Sequence, residues 1–501
     1  MPLTDYANFI GPSYQTASQF VDSERASNLI IEAGQGNTRS KLFYYARPGL
    51  KLATPLNASI PQVTALYTTG SNTTYATQAN GLYQLSNGGA SLSSRLLGNL
   101  AAASYDRLSL SSSQTQLLIA QGGSGYIWNG TTIQQITSAG GNGWLGASSV
   151  TQILGFFVIL GIGANANRIY SSALLDGLTY PAANYALINS PDPPVAIITD
   201  QRQLLWVFCQ RHVEVYGFNA ALTAFPFSSI SGAQMQVGLL ARLSLVSMDN
   251  TLFWLGCDDR GIGGIYRANG FTPQKVSTPA VDDAISSYAR ANGFSQLQNA
   301  EAYCYRDGGH EYYVITFPLN DQSLGQTWCY DASTDMWTER SYWNAPLLIE
   351  QAHRARVHTY NAAWNMHLVG DYASGNIYEQ NSAFYDDFQS TGGQFIRRLR
   401  TAPVILATGK RMFFKSFQLD MQVGDAANYL TAPSISLSYS DDGGRTYKSE
   451  RTISTGKIGE YQTRVRDNQL GSGYQRNYRV IQTDPVQTAW TAAWLEMSAA
   501  A

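Results

Sequence analysis

Gly125-Tyr126-Ile127-Trp128-Asn129-Gly130 reads as a short strand, dense in aromatic and β-branched residues, that runs into a tight turn. The phrase returns in degenerate form at Gly81-Leu82-Tyr83, Arg168-Ile169-Tyr170, Val215-Tyr216-Gly217, Gly264-Ile265-Tyr266, Cys329-Tyr330-Asp331 and Asn376-Ile377-Tyr378. The steps are about 45 residues, with one of about 60. That interval suits a four-stranded propeller blade, in which each small sheet covers the apolar face of its neighbour and the ring closes on itself. The expected fold class is therefore all-β, an irregular β-propeller of six or seven blades. The competing architecture is a sandwich-type chain in which a surplus of tyrosine repeats such phrases by chance.

On either side of this phrase, strand-length apolar runs recur: Gln116-Leu117-Leu118-Ile119-Ala120, Leu204-Leu205-Trp206-Val207-Phe208 and Glu311-Tyr312-Tyr313-Val314-Ile315. Long amphipathic helical stretches are scarce. With 31 Tyr, 10 Trp, 19 Phe and 45 Gly, and only 14% charged residues, the composition favours short strands joined by many turns. The apolar run Ile153 to Gly163 is too short to span a bilayer and reads as a buried strand with its turn.

Two regions break the rhythm. Residues 1–60 carry Gly11-Pro12, Gly34-Gln35-Gly36 and Pro48-Gly49 and read as an extended N-terminal arm with short strands. From about Phe395, Arg397, Arg398, Arg400, Lys410, Arg411 and Lys415 precede alternating segments such as Ser434-Ile435-Ser436-Leu437-Ser438-Tyr439. Three units are expected: the arm (1–60), the propeller (61–395) and a C-terminal β-sandwich (396–501).

A formal charge of −2 gives no broad basic field for general nucleic-acid binding. Cys209, Cys257, Cys304 and Cys329 are too scattered for a zinc or redox pair and read as free, buried thiols of a chain made in a reducing compartment. Met1-Pro2-Leu3-Thr4-Asp5 shows no secretory pattern.

No motif in the chain carries a firm chemical signature. Gly409-Lys410-Arg411 and Gly456-Lys457-Ile458 lack the hydroxyl residue of a phosphate loop. Gly161-Ile162-Gly163 has no third glycine and no following helix. His310-Glu311 is half of a zinc-protease motif, with Val314 where the second histidine belongs. His353, His358 and His367 in one β segment read as a polar network. Asp258-Asp259, Asp282-Asp283 and Asp386-Asp387 would place their carboxylates on opposite faces of a strand and read as loop residues. No catalytic residue, metal or cofactor is expected. Ser440-Asp441-Asp442-Gly443-Gly444-Arg445-Thr446-Tyr447 is similar to the Asp-box hairpin of sialidases and other propellers, a structural turn and not a substrate site.

Taken together, several phrases resemble the tail-hub or nozzle proteins of short-tailed bacteriophages, also called packaged-DNA stabilization proteins. They begin at Gly11-Pro12-Ser13-Tyr14 and Val21-Asp22-Ser23-Glu24-Arg25-Ala26-Ser27-Asn28-Leu29. They continue through Ser190-Pro191-Asp192-Pro193-Pro194, Phe253-Trp254-Leu255-Gly256, Thr327-Trp328-Cys329-Tyr330-Asp331 and Trp337-Thr338-Glu339-Arg340 to Val369-Gly370-Asp371-Tyr372, Ile396-Arg397-Arg398 and the Asp-box segment. The chain departs from the family at Asn28-Leu29-Ile30-Ile31-Glu32, which lacks the usual aromatic and Pro before Glu, and at Tyr447 in place of Trp.

The resemblance implies a structural, non-enzymatic virion protein: a homohexameric ring in the tail, below the portal and its adaptor ring, with a lumen that carries DNA without reading its sequence. A tail needle or plug would seal the lumen, and tailspikes or fibres would attach around it. The protein would be made in the host cytoplasm. The arm and sandwich are assigned to ring closure and adaptor docking, with Tyr14, Asn28, Glu32, Arg397, Arg398 and Arg400 as candidate subunit or adaptor contacts. The three arginines could pair with acidic groups across a subunit boundary or be a solvated, charge-protected strand edge. The alternative function is a carbohydrate-binding or carbohydrate-cleaving propeller tail protein.

Overall fold

The structure is a computed structural model and describes residues 3–35, 40–57, 59–89, 91–101, 107–137, 144–318, 325–388, 393–406, 409–425 and 431–499. Each aromatic phrase of the repeat lies on the third strand of an antiparallel sheet. Those third strands are Gly81–Asn87, Ser124–Trp128, Arg168–Ser171, Val213–Phe218, Gly261–Asn269, Gln326–Asp331 and Asn376–Asn381. They define a propeller of seven blades. The long step before the sixth blade holds the helix Pro279–Asn292, which starts on a proline, ends at Gly293 (φ 93°) and packs Val281, Ile285 and Tyr288 between blades 5 and 6.

The second strands are continuous apolar runs because both faces are covered. Leu205–Cys209 of blade 4 is buried at every residue, sandwiched between blades 3 and 5. Each junction between neighbouring blades has its own apolar cluster, and Phe208 packs edge-on against Trp254 across the junction of blades 4 and 5 at 5.3 Å between ring centres. A buried aromatic of this size contributes about 1.5–3 kcal/mol.

Ring closure uses a strand from the far end of the sequence. Blade 7 consists of Ala355–Asn361, Met366–Asp371 and Asn376–Asn381, and its outer strand is Gly49–Pro55. Val63, Leu66 and Leu85 then pack against Val357, Leu368 and Ile377. Gly49 is required by close approach, since a Cβ there would lie 2.4 Å from the Asp386 carbonyl oxygen and 2.5 Å from that of Phe384.

The sandwich is built from both chain ends. One sheet runs Leu29–Ala33, Leu42–Ala46, Ala489–Ala499, Met412–Met421 and Val465–Asn468; the other contains Ser23–Ser27, Arg398–Thr401, Gln475–Gln482, Ser434–Ser440 and Lys448–Ser454. Tyr6, Phe9, Leu29, Ile31 and Tyr44 complete a core with Phe417, Leu437, Tyr478, Trp490 and Leu495. The segment read as an arm thus supplies strands to two bodies, Ser23–Ser27, Leu29–Ala33 and Leu42–Ala46 to the sandwich and Gly49–Pro55 to the propeller. The second sandwich sheet continues into blade 6, where Ser27 pairs in parallel with Glu339.

Candidate functional site

The chain passes between sandwich and propeller near residue 47 and near residues 393–397, and that junction gathers Asn28, Arg397 and Arg398 of the six candidate contact residues. Asn28 sits at its centre in the left-handed region (φ 58°), a conformation that asparagine tolerates better than most residues. Its Nδ2 donates to Ser341 Oγ (3.0 Å) and to the Arg397 carbonyl (2.9 Å), while its Oδ1 accepts from Ser341 N (3.0 Å) and Arg47 Nε (2.8 Å). All four hydrogen-bonding positions of the amide are filled.

Arg47 passes that network on to Asp387. Its Nη1 and Nη2 donate to the two carboxylate oxygens at 2.9 and 2.6 Å, and the side chains are 1% and 2% exposed. Removing either partner of such a pair strands a buried charge. Beside it, Arg25 donates from Nε to both oxygens of Glu339 (3.1 and 3.0 Å) and from Nη2 to Glu350 (3.1 Å), which also pairs with Arg397. Burial pushes the Glu350 carboxyl up, but the Arg25 and Arg397 charges outweigh it and hold the group below its ordinary range.

Arg400 is fully buried and ties down the start of the chain. It donates to the carbonyls of Phe9 (2.7 Å), Pro12 (3.1 Å) and Asn8 (3.0 Å) and pairs with Glu24. Arg398, equally buried, donates to the carbonyls of Asp484 and Tyr385, both at 2.7 Å. Burial, with the neighbouring Arg47 charge second, pushes its pKa down to about 10. The carboxylates answering Arg397 and Arg400 are therefore in the same chain. Tyr14 is half-buried on a short strand paired with Ser23–Ser27, and Glu32 is half-buried on the rim of a cleft of about 280 Å³ with His310, Tyr312 and Tyr385.

The propeller axis is crossed by side chains. Arg107, at the entry to blade 2, donates from Nη1 to Glu301 of blade 6 (2.7 Å) and to the Arg356 carbonyl of blade 7 (3.3 Å). Arg242 of blade 5 donates from Nη2 to the Arg107 carbonyl (3.2 Å) and from Nη1 to the Ser148 carbonyl at the entry to blade 3. These bonds join blades that are not neighbours, so they run across the centre of the ring.

Most of the sequence-flagged acids and histidines are committed elsewhere, while His353 is buried with neither ring nitrogen hydrogen-bonded among the described residues. Asp387 holds Arg47, Asp282 pairs with Lys275, and Asp259 with Arg211. His358 and His367 share one hydrogen bond (3.0 Å) in a cleft of about 700 Å³ lined also by Tyr305, Tyr360 and Gln380. Burial, then the His367 charge, pushes His358 down to about 3, and burial lowers His367 too, so the pair is neutral at physiological pH. His310 binds Asp331 at 2.7 Å, and that bond outweighs burial and raises its pKa. Among the described residues, no three His, Cys, Asp or Glu side chains are placed to hold a metal. The four cysteines are free, and burial pushes the thiols of Cys209 up to about 12 and of Cys304 and Cys329 up to about 11. The Asp-box segment forms a sandwich hairpin in which Asp442 Oδ1 accepts from the amides of Arg445 and Thr446, both at 3.0 Å.

The family model described as bacteriophage P22 Gp10, beta-propeller, matches residues 11–385, and the model described as P22 Gp10, beta-sandwich, matches residues 397–498. The chain belongs to the bacteriophage P22 Gp10 family. It is a structural phage protein of the tail hub or nozzle that stabilises packaged DNA. The P22 Gp10 propeller match begins well before the first blade and takes in Ser23–Ser27, Leu29–Ala33 and Leu42–Ala46, strands that fold into the sandwich here.

Among curated proteins no sequence match is found. Solved structures similar to the chain include the extracellular domain of a hybrid two-component system from B. thetaiotaomicron (10% identity, covering 81% of this chain and 47% of that one, TM-score 0.43). The chain thus spans about half the length of that protein. A virginiamycin B lyase from Staphylococcus aureus with quinupristin is 12% identical, over 65% of this chain and 97% of that one, with TM-score 0.39. YCF48 from Cyanidioschyzon merolae is 13% identical, over 66% and 99%, with TM-score 0.39. No helix among the described residues is long and apolar enough to cross a membrane.

Arg25, Arg47, Arg107, Arg242 and Glu301 were not singled out in the sequence. Each acts through a group more than 90 positions away in the chain, and no local pattern marks such a pairing.

Proposed function

We propose that copies of this chain close into a homohexameric ring below the portal-adaptor ring, and that DNA runs through the lumen between copies and not through any propeller. The observation that carries the second half is the set of bonds from Arg107 and Arg242 across the propeller axis to blades 3, 6 and 7. A duct through one propeller would have to break them. A near-neutral chain also suits a passage along which DNA must not stick.

In this reading the protein has no catalytic step. A needle or plug seals the lumen before ejection, and tailspikes or fibres attach to the outer surface. Asn28 and Arg398 serve the assembly by fixing the sandwich on the propeller and Arg400 by tying the start of the chain to the sandwich, while Tyr14 and Glu32 lie where a neighbouring subunit or the adaptor can reach them. Synthesis in the host cytoplasm agrees with four unpaired cysteines. Native mass spectrometry of the purified chain with its adaptor ring tests the reading. Six copies on one adaptor ring support it; a chain that stays monomeric on that ring refutes it.

A further inference from the structure

Strand register in blade 7 brings two imidazoles to one spot. His367 lies opposite Tyr360 in the antiparallel pair Ala355–Asn361 and Met366–Asp371, and His358 stands two residues along from Tyr360, so the two histidines share a face of the sheet as diagonal neighbours. That face lines the cleft of about 700 Å³ between blades 6 and 7, with Tyr305, Asp307 and Gln380 around it. Neighbouring rings hold the imidazoles in place. Tyr303 stacks on His358 (5.6 Å between ring centres, 24°), and Tyr360 packs on His367 (4.7 Å).

His358 Nε2 and His367 Nδ1 face each other at 3.0 Å. His367 also donates to the backbone carbonyl of Arg306, and a proton placed on Nε2 for that bond leaves the Nδ1 lone pair toward His358. Metal-ligating imidazoles are oriented in this way, through the nitrogen that does not bind the ion. Both rings are neutral at physiological pH, the state in which imidazole is a ligand. Two nitrogens held about 2.1 Å from one ion are about 3.0 Å apart at a right angle and about 3.4 Å apart at the tetrahedral angle. The observed spacing is that of adjacent ligands in a square-planar or octahedral site.

We infer that His358 and His367 together bind a divalent transition-metal ion of that geometry, nickel(II) or copper(II) in class, with water from the cleft in its other positions. Binding moves the His358 proton from Nε2 to Nδ1, so each facing nitrogen offers a lone pair and no proton leaves the protein. Two protein ligands agree with there being no group of three His, Cys, Asp or Glu side chains placed for a metal among the described residues. Cys304 borders the cleft but is not a ligand, because its Sγ donates to the Ser247 carbonyl (3.2 Å) and burial keeps the thiol protonated, pushed up to about 11. Asp307, on the blade 6 side of the cleft, supplies negative charge near His367. That charge favours a cation in a half-buried site.

The test titrates nickel(II) chloride into the whole, untagged chain by calorimetry at pH 7.5. Wild type is compared with His358→Gln, His367→Gln and His212→Gln, the last being a histidine bound to Asp192 away from the cleft. Circular dichroism checks the fold. One nickel per chain is expected, with affinity lower by about tenfold or more in each cleft variant and unchanged in His212→Gln. Nickel-edge X-ray absorption of the loaded wild type should show two imidazoles and no sulfur, a result that does not depend on any variant folding. A wild type that takes up no nickel overturns the proposal. Cleft variants that bind nickel like the wild type mean an adventitious ion only and overturn it too, as does an absorption spectrum with a sulfur ligand or a single imidazole.

Discussion

Asp387→Ala probes the clasp between propeller and sandwich most sharply. The substitution removes both acceptors of the Arg47 fork, at 2.9 and 2.6 Å, and leaves a guanidinium that is 1% exposed without a counter-charge. Breaking a buried pair by deleting one partner costs about 3–5 kcal/mol. Arg47 keeps its bonds to Asn28 Oδ1 (2.8 Å) and the Pro48 carbonyl (2.9 Å), which argues for the lower end, about 3 kcal/mol. Arg47→Met is the harsher change, because among the described residues no other hydrogen bond holds the Asp387 carboxylate oxygens. The double variant Arg47→Met/Asp387→Leu should cost less than the sum of the singles. The assay is urea unfolding of the full-length chain, followed by tryptophan fluorescence at pH 5 and pH 7.5. A loss under about 1 kcal/mol in Asp387→Ala would refute the claim that this pair is sealed from water.

Three further outcomes follow from the geometry. Asn28→Gly loses the four amide bonds but keeps access to φ 58°, whereas Asn28→Ala also meets backbone strain; Ala should be less stable than Gly by about 1 kcal/mol in the same assay. Gly49→Ala drives a Cβ into the Asp386 and Phe384 carbonyls and should free the outer strand of blade 7, seen as faster amide exchange across Gly49–Pro55 with blade 4 unchanged. The histidines act with opposite signs on acidification. His310 has a raised folded pKa, so its contribution is fully present below the ordinary imidazole value of 6.5 and is lost as the pH rises through the folded value. His358 is pushed down to about 3, so its contribution is present above 6.5 and is lost as the pH falls toward the folded value. Thermal melts from pH 8 to pH 4 should show a smaller acid loss in His358→Gln and a larger one in His310→Gln.

The propeller was legible because its signal is local. Tyr83, Tyr126, Tyr170, Tyr216, Tyr266, Tyr330 and Tyr378 each fall on the third strand of a blade, where one side packs on a neighbouring sheet and a turn follows within a few residues. The long step before Tyr330 is the helix Pro279–Asn292, an insertion the repeat could time but not describe. The composition change near Phe395 marked the return to the sandwich. What could not be read was who pairs with whom over distance. Leu42–Ala46 meets Ala489–Ala499, and Gly49–Pro55 meets Asn376–Asn381, and nothing in either short strand specifies a mate more than 300 positions away. The arginines at 397, 398 and 400 stood out as a basic cluster, yet their answers, Glu350, two backbone carbonyls and Glu24, come from different blades, turns and strands.

The central claim is that DNA passes between subunits while each propeller axis stays closed. A cryo-electron-microscopy reconstruction of the assembled tail with DNA trapped in the act of ejection tests it directly. The account predicts rod-like density on the ring axis, outside every propeller, with Arg107 and Arg242 still joined across each propeller centre. DNA density threading a propeller, with those bonds broken, would contradict it.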